Sequence, residues 1–239
     1  MKGRVATMIK DNLGKRMKEY EKVSTQHLIK RLPVIIRIDG NAFHTYTKGM
    51  VKPFDEDLAH AMKQTMIYLC EKVPDCRLGY TQSDEITLVL TNDISLEYDA
   101  WFNNKLPKLI SLTASMATFK FNELMFEKTG KPAFFDSRAF NVPNPMEVAN
   151  NLHWRQVDAE RNSVSSLAQS LYSQKELNGI SSRDLKVKML TEKGVDWDLL
   201  DTYKKRGICC RKTEDGWGID ENTPKFKENW EYILILFSQ

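Results

Sequence analysis

No stretch of this sequence is apolar for long enough to cross a bilayer. The longest such runs, Ile233-Leu234-Ile235-Leu236-Phe237 among them, fall far short of the roughly 20 residues required. The N-terminus carries Lys2, Arg4, Lys10 and Asp11 without the apolar core of a secretory leader, so neither secretion nor membrane attachment is expected. Cysteine is scarce: the four, at 70, 76, 209 and 210, form no C-x-x-C unit and have no histidines at zinc-finger spacing. That argues against a disulfide scaffold or a zinc module and fits reduced thiols in the cytoplasm. An excess of one charge is also lacking. Lys plus Arg number 35 against 32 Asp plus Glu, a net +3, so any nucleic-acid surface has to be local. Repeats, low-complexity tracts and Gly/Ser linkers are absent too.

What remains is an ordinary globular composition, 41% hydrophobic and 28% charged over 239 residues, enough to bury a substantial core. Val5, Met8, Ile9, Leu13 and Met17 recur at helical spacing within 4–21. The β-branched run from Pro33 stops at Asp39-Gly40, which predicts a buried strand ending in a turn with the acid at its carboxyl end. Helical periodicity returns over 55–73 with Asp55 as the N-cap. Two strands, 76–81 and 85–90, flank the polar Gln82-Ser83-Asp84, a hairpin with acids at its tip. Residues 97–128 read as helix, 133–141 as strand and 146–173 as helix, with three further strands near 207–212, 216–220 and 230–236. The expected fold class is α+β: a sheet covered on one face by helices, with a small C-terminal α/β portion packed beside it. Domains of 1–142 and 143–239 follow, with a soft boundary near 140–145.

The chemistry rests on the acids. Phosphoryl transfer neutralises a triphosphate while aligning an oxygen nucleophile, work suited to two Mg²⁺ ions about 3.5–4 Å apart. Mg²⁺ binds oxygen and keeps several waters, so one acid from a strand end and one or two from an adjacent hairpin suffice. Asp39 and Asp84-Glu85 match, and the Gly40 carbonyl can add a ligand. Each acid taken singly is more often a turn or cap residue; the combination carries the reading. The loop from Gly40 and Asn41 to Lys48 offers successive backbone N–H groups suited to phosphate oxygens. Phe43, His44 and Tyr46 either meet a base or anchor the loop in the core. On the helix that follows Trp154, residues Arg155, Asp158 and Asn162 share a face, suited to an RNA end or to a plain ion pair.

These motifs resemble the tRNA-histidine guanylyltransferase family, in particular its bacterial-type guanylyltransferase-like proteins. The likeness rests on Arg37-Ile38-Asp39-Gly40 with Phe43-His44, on Lys52-Pro53 before Asp55, and on Gly79 to Glu85. It continues through Phe135-Asp136-Ser137-Arg138 and Trp154-Arg155-Gln156-Val157-Asp158, and a later Lys204-Lys205-Arg206-Gly207 matches the family's basic-Gly element. The resemblance implies a polymerase-palm-like antiparallel sheet and magnesium, two ions per site, held by Asp39, Gly40, Asp84 and Glu85. It implies a nucleotide pocket of Ala42, Phe43, His44 and Asp55, with Lys52, Ser83 and Arg138 on phosphates. Contacts to tRNA fall to Arg155, Asp158, Asn162, Lys204, Lys205 and Arg206, with ATP, GTP and other NTPs as partners in a homotetramer. Where the eukaryotic enzymes carry His-Ile-Asn-Asn-Leu-Tyr-Asn, this chain has Glu160-Arg161-Asn162-Ser163-Val164-Ser165-Ser166. That departure shifts the implied reaction from guanylate addition on histidine tRNA to templated 3′-to-5′ repair of tRNA 5′ ends. A palm-type nucleotidyl cyclase and a non-catalytic tRNA-binding protein are the competing readings; the absence of a Gly-Gly-Asp/Glu-Glu-Phe hairpin counts against the first.

Overall fold

The computed structural model describes residues 2–91 and 99–238, with side chains from Leu13 onward. In chain order the elements are α1 (Lys2–Val23), β1 (Val34–Asn41), α2 (Phe43–Tyr46), α3 (Glu56–Lys72), β2 (Cys76–Gln82) and β3 (Glu85–Leu90). There follow α4 (Leu106–Thr129), β4 (Phe134–Asn141), α5 (Pro145–Leu171), α6 (Gln174–Leu177), α7 (Ser182–Lys193), α8 (Thr202–Arg206), β5 (Ile208–Thr213), β6 (Gly216–Asp220) and α9 (Glu231–Leu234). The strands form a six-stranded sheet in the order β4-β1-β3-β2-β5-β6, every neighbouring pair antiparallel. This is the expected α+β class.

Side-chain alternation decides what each face of the sheet meets. Val34, Ile36 and Ile38 of β1 with Ile86, Leu88 and Leu90 of β3 face α3 and α4, where Met62, Met66, Leu69, Leu109, Ala117 and Phe121 complete a buried cluster. Burying one such side chain is worth roughly 1.5–3 kcal/mol, so this face anchors the sheet. Ile35, Leu78, Tyr80, Val89 and Cys209 point the other way. They pack on Val148, Ala149 and Leu152 of α5, and on Phe226, Ile233 and Leu236. The helices of the first half thus lie on one face, and the C-terminal portion seals part of the other. A third cluster, Val164, Leu167, Ala168, Leu185, Met189 and Trp197, joins the end of α5 to α7.

Helix boundaries follow from capping. The Asn144 side chain accepts a hydrogen bond from the Glu147 N–H at 3.0 Å, and Pro145 opens α5 where its missing N–H costs nothing. Asp55 caps α3 as the sequence predicts. Two elements differ from expectation. The strand expected at 230–236 is helical, with α9 running into a 3₁₀ turn at Ile235–Phe237. Its buried residues, Ile233 and Leu236, are three apart, and a short apolar run does not distinguish helix from strand. The helix expected over 97–128 begins at Leu106, after a turn with left-handed Phe102, Asn103 and Asn104; its start at 97 lies outside the described residues. Of the apolar face expected on α1, Leu13 and Met17 are exposed, while Val5, Met8 and Ile9 lie among side chains that are not described. Among the described residues, no helix is long and apolar enough to cross a membrane.

Candidate active site

The sheet face toward α5 is apolar at one end and charged at the other. Asp136, Asp39, Glu85 and Gln82 are successive cross-strand partners on β4, β1, β3 and β2. Directly opposed residues project from the same face, so they form one row. Two positions back lies a second row, Arg138, Arg37, Thr87 and Tyr80. The Gly40 N–H donates to the Asp84 carbonyl at 3.0 Å, tying the end of β1 to the hairpin tip. Ser83 holds the tip with φ 50°, and its hydroxyl donates to Asp84 Oδ1 at 3.1 Å. Burial raises the Asp84 pKa, and the nearby charge of Asp39 adds to the rise against hydrogen bonds that lower it. Two like charges held this close suit a cation between them. Among the described residues no group of three or more His, Cys, Asp or Glu could by itself hold a metal ion, so a cation here would need oxygen ligands beyond Asp39 and Asp84.

Glu85 is engaged elsewhere. Arg155 of α5 donates from Nε to Oε1 at 2.7 Å and from Nη2 to Oε2 at 2.6 Å, and also from Nη2 to Asp158 Oδ2 at 3.0 Å. Both members of the bidentate pair are buried. Burial raises the Glu85 pKa against the pull of Arg155. For Arg155, burial opposes the charge, but bonding to Glu85 and attraction from Glu85 and Asp158 outweigh it and raise its pKa. Two charge-assisted bonds this short mark an ionised pair.

Beside the hairpin tip a cavity of about 150 Å³ is lined by Pro53, Phe54, Asp55, Leu58, Ala59, Gln82, Ser83, Ala159, Asn162, Ser163, Ser166, Tyr203, Lys204, Lys205 and Gly207. It thus gathers Asp55, Ser83, Asn162, Lys204 and Lys205 from four separate segments. Gly207, at φ +76°, passes so close to β2 that a Cβ there would lie 2.4 Å from the Thr81 carbonyl oxygen. Asp55 does two jobs, its carboxylate accepting from Leu58 N at 2.9 Å and from Val51 N at 3.0 Å. Asp55→Ala is expected to cost about 1–2 kcal/mol through the lost cap and to loosen the loop at 51–55. A lower melting temperature together with weaker nucleotide binding is the expected reading.

Other candidate residues fall differently. Phe43 is buried, its ring 5.0–5.4 Å from those of Tyr46, Phe121 and Phe135. It is therefore a core anchor, the second of the two roles open to it. A Cβ on Gly40 would lie 2.3 Å from the Phe43 ring; glycine at 40 makes room for that anchor. Asn41, Ala42 and His44 are exposed around it, as is Lys52. Ala42 is left-handed, and the first N–H groups of α2 beyond it have no intrahelical acceptors. Arg138 bonds Asp136 at 3.1 Å. The basic element is partnered within the chain: Lys204 with Glu56 at 2.9 Å and Asp201 at 3.0 Å, Lys205 with the Asp198 carbonyl at 2.5 Å, and Arg206 with the Thr223 carbonyl at 3.4 Å. Burial lowers the Lys205 pKa, with Arg206 adding. Arg37 received no role from its sequence position, although the period of two from Asp39 already puts it on the face of the acids.

Acids gathered on one face of an antiparallel sheet, beside a cavity lined by hydroxyl, amide and ammonium groups, are an arrangement suited to a palm-type nucleotidyltransferase. The tRNAHis guanylyltransferase (Thg1) family model matches residues 14–143, and the chain belongs to that family of tRNA nucleotidyltransferases. It is similar to a bacterial tRNA(His) guanylyltransferase (Thg1)-like protein solved in complex with ATP, at 46% identity and TM-score 0.91, covering 94% of this chain and 98% of that one. A second structure of a bacterial tRNA(His) guanylyltransferase (Thg1)-like protein, in complex with GTP, is 40% identical with TM-score 0.81, over 95% of this chain and 100% of that one. The tRNA(His) guanylyltransferase of Schizosaccharomyces pombe is 27% identical over 92% of this chain and 88% of its own length.

Proposed function

We propose that this protein adds nucleotides in the 3′-to-5′ direction to the 5′ end of tRNA, templated by the opposite strand of the acceptor stem. The observation that carries the reading is the Gly40 N–H bond to the Asp84 carbonyl, which ties the strand end bearing Asp39 to the hairpin tip bearing Asp84, next to Ser83 in the wall of the cavity that Asp55, Asn162 and Lys205 also line. The 3′-hydroxyl of the incoming nucleoside triphosphate attacks the α-phosphorus of the RNA 5′ end. A phosphodiester forms and the anhydride bond breaks, releasing pyrophosphate from a triphosphorylated end or AMP from an end activated by ATP. Two Mg²⁺ ions, held by Asp39, Asp84 and the Gly40 carbonyl, would supply a lowered hydroxyl pKa and a neutralised transition state. Ser83, Lys52 and the N–H groups at the start of α2 hold phosphate oxygens, and Asp55 fixes the loop over the base. Glu85 does not ligate metal on this reading, because Arg155 takes both its oxygens; it orients the row instead. Repair is favoured over dedicated guanylation because the greater similarity is to the bacterial-type proteins and Asn162, Ser163 and Ser166 replace the eukaryotic stretch at the cavity.

The test uses a tRNA lacking its first nucleotide, Mg²⁺ and the four NTPs. Lengthening of the 5′ end by the nucleotide complementary to position 72 is expected. Growth at the 3′ end, or 5′ addition indifferent to the opposing base, overturns the proposal.

A further inference from the structure

One large side chain beside the carboxylate row has no part in any of the buried clusters. Trp154, on α5, is 53% exposed. The Arg155 guanidinium lies 4.6 Å from its ring centroid and that of Arg37 lies 5.7 Å away. Arg37 Nε is buried without a hydrogen-bond acceptor. An indole left in water and an N–H shut away from any acceptor are both unfavourable. A ligand with a flat apolar face would cover the indole, and anionic oxygens on it would meet the Arg37 guanidinium that lies beside the ring; a nucleotide has both.

Placement says which nucleotide. The cavity with Gln82 and Ser83 opens at the β2 end of the row, whereas Arg37 and its cross-strand neighbour Arg138 belong to β1 and β4 at the other end. Arg37 sits two residues before Asp39 on the same face, about 7 Å along the strand. The carboxylates are therefore flanked by two places for nucleotides, one enclosed and one an open platform. An open aromatic beside arginines suits a base that belongs to a longer chain, held by its backbone as well as by stacking.

We propose that Trp154 and Arg37 form a stacking platform for the terminal base at the reacting 5′ end of the RNA, with Arg37 meeting the adjoining phosphate. The proposal rests on the RNA-extension reading above and adds the subsite that receives the RNA end.

The probe is an acceptor-stem hairpin RNA with a 5′-triphosphate and 2-aminopurine as its first nucleotide, titrated with the full chain in Mg²⁺. Wild type should quench the 2-aminopurine emission. Trp154→Ala should abolish the quench and weaken hairpin binding roughly 5- to 150-fold, the worth of one base–aromatic stack, while ATP affinity stays within twofold. Trp154→Phe should restore most of the quench, and Trp154→Leu, which keeps apolar bulk without a π-face, should not. Quenching that persists in a folded Trp154→Leu protein overturns the platform. A loss confined to ATP affinity overturns its assignment to RNA. Hairpin binding to wild type without quenching removes the platform but leaves RNA extension standing; no hairpin binding removes both.

Discussion

Asp39→Ala and Asp84→Ala should each abolish 5′ addition, with a loss of at least about 10³-fold. Neutralising the charge that develops in phosphoryl transfer supplies several kcal/mol, and each 1.36 kcal/mol is tenfold in rate. The site has few alternatives to fall back on. Asp39 projects from β1 into the row between Asp136 and Glu85, yet Asp136 is bound to Arg138 and Glu85 to Arg155. With one acid gone, the remaining carboxylate faces the full charge of a triphosphate alone. Folding should survive, because Asp84 bears a burial penalty on its charge that alanine removes. The measurement pairs single-turnover extension with a thermal melt in the presence and absence of Mn²⁺. Wild type should gain stability with the metal and both variants should lose that gain. Extension within tenfold of wild type by either variant would remove that acid from the site.

The acids were legible in the sequence because strand ends and hairpin tips have local signatures. The β-branched run into Asp39-Gly40 and the paired strands around Ser83-Asp84 place two carboxylates without knowledge of the rest of the chain. Asp55 was likewise readable as a cap. Less legible was what each aromatic and basic residue faces, because that depends on packing between distant segments. Phe43 looks like a base-stacking residue in a polar loop, and only the arrival of Phe121 and Phe135 makes it core. Lys204, Lys205 and Arg206 read as a basic patch, but Glu56 and the Thr223 carbonyl from elsewhere in the fold, with Asp201 and the Asp198 carbonyl just upstream, take up their charges and N–H groups. The apolar 230–236 segment was ambiguous in its period, and the helical choice follows from the sheet face it covers. For α5 the sequence left open whether Arg155 and Asp158 meet RNA or each other. The pair is present, and Glu85, seventy residues away, completes it.

That triad should be the costliest point in the fold to break from one side. Arg155→Met leaves Glu85 buried with its charge unpaired and only the Thr87 hydroxyl, 3.5 Å from Oε1, as a donor, and Glu85→Gln leaves a buried guanidinium whose remaining acid, Asp158, is partly exposed. Removing one member of a buried pair typically costs about 3–5 kcal/mol, because the survivor keeps its desolvation penalty without compensation. For a chain of this size each kcal/mol lowers the melting temperature by about 2–4 °C, so the single variants should melt roughly 6–20 °C lower. The double variant Glu85→Gln with Arg155→Met should recover much of the loss, since no charge is then stranded in the row. The same cycle separates orientation from metal ligation. If Glu85 only positions its neighbours, the double variant retains the Mn²⁺-induced gain in melting temperature that Asp39→Ala loses. If Glu85 ligates, that gain disappears with Glu85 whatever happens at Arg155. A double variant as unstable as the singles would show that the guanidinium supports the sheet through packing against Trp154 rather than through its bond to Glu85.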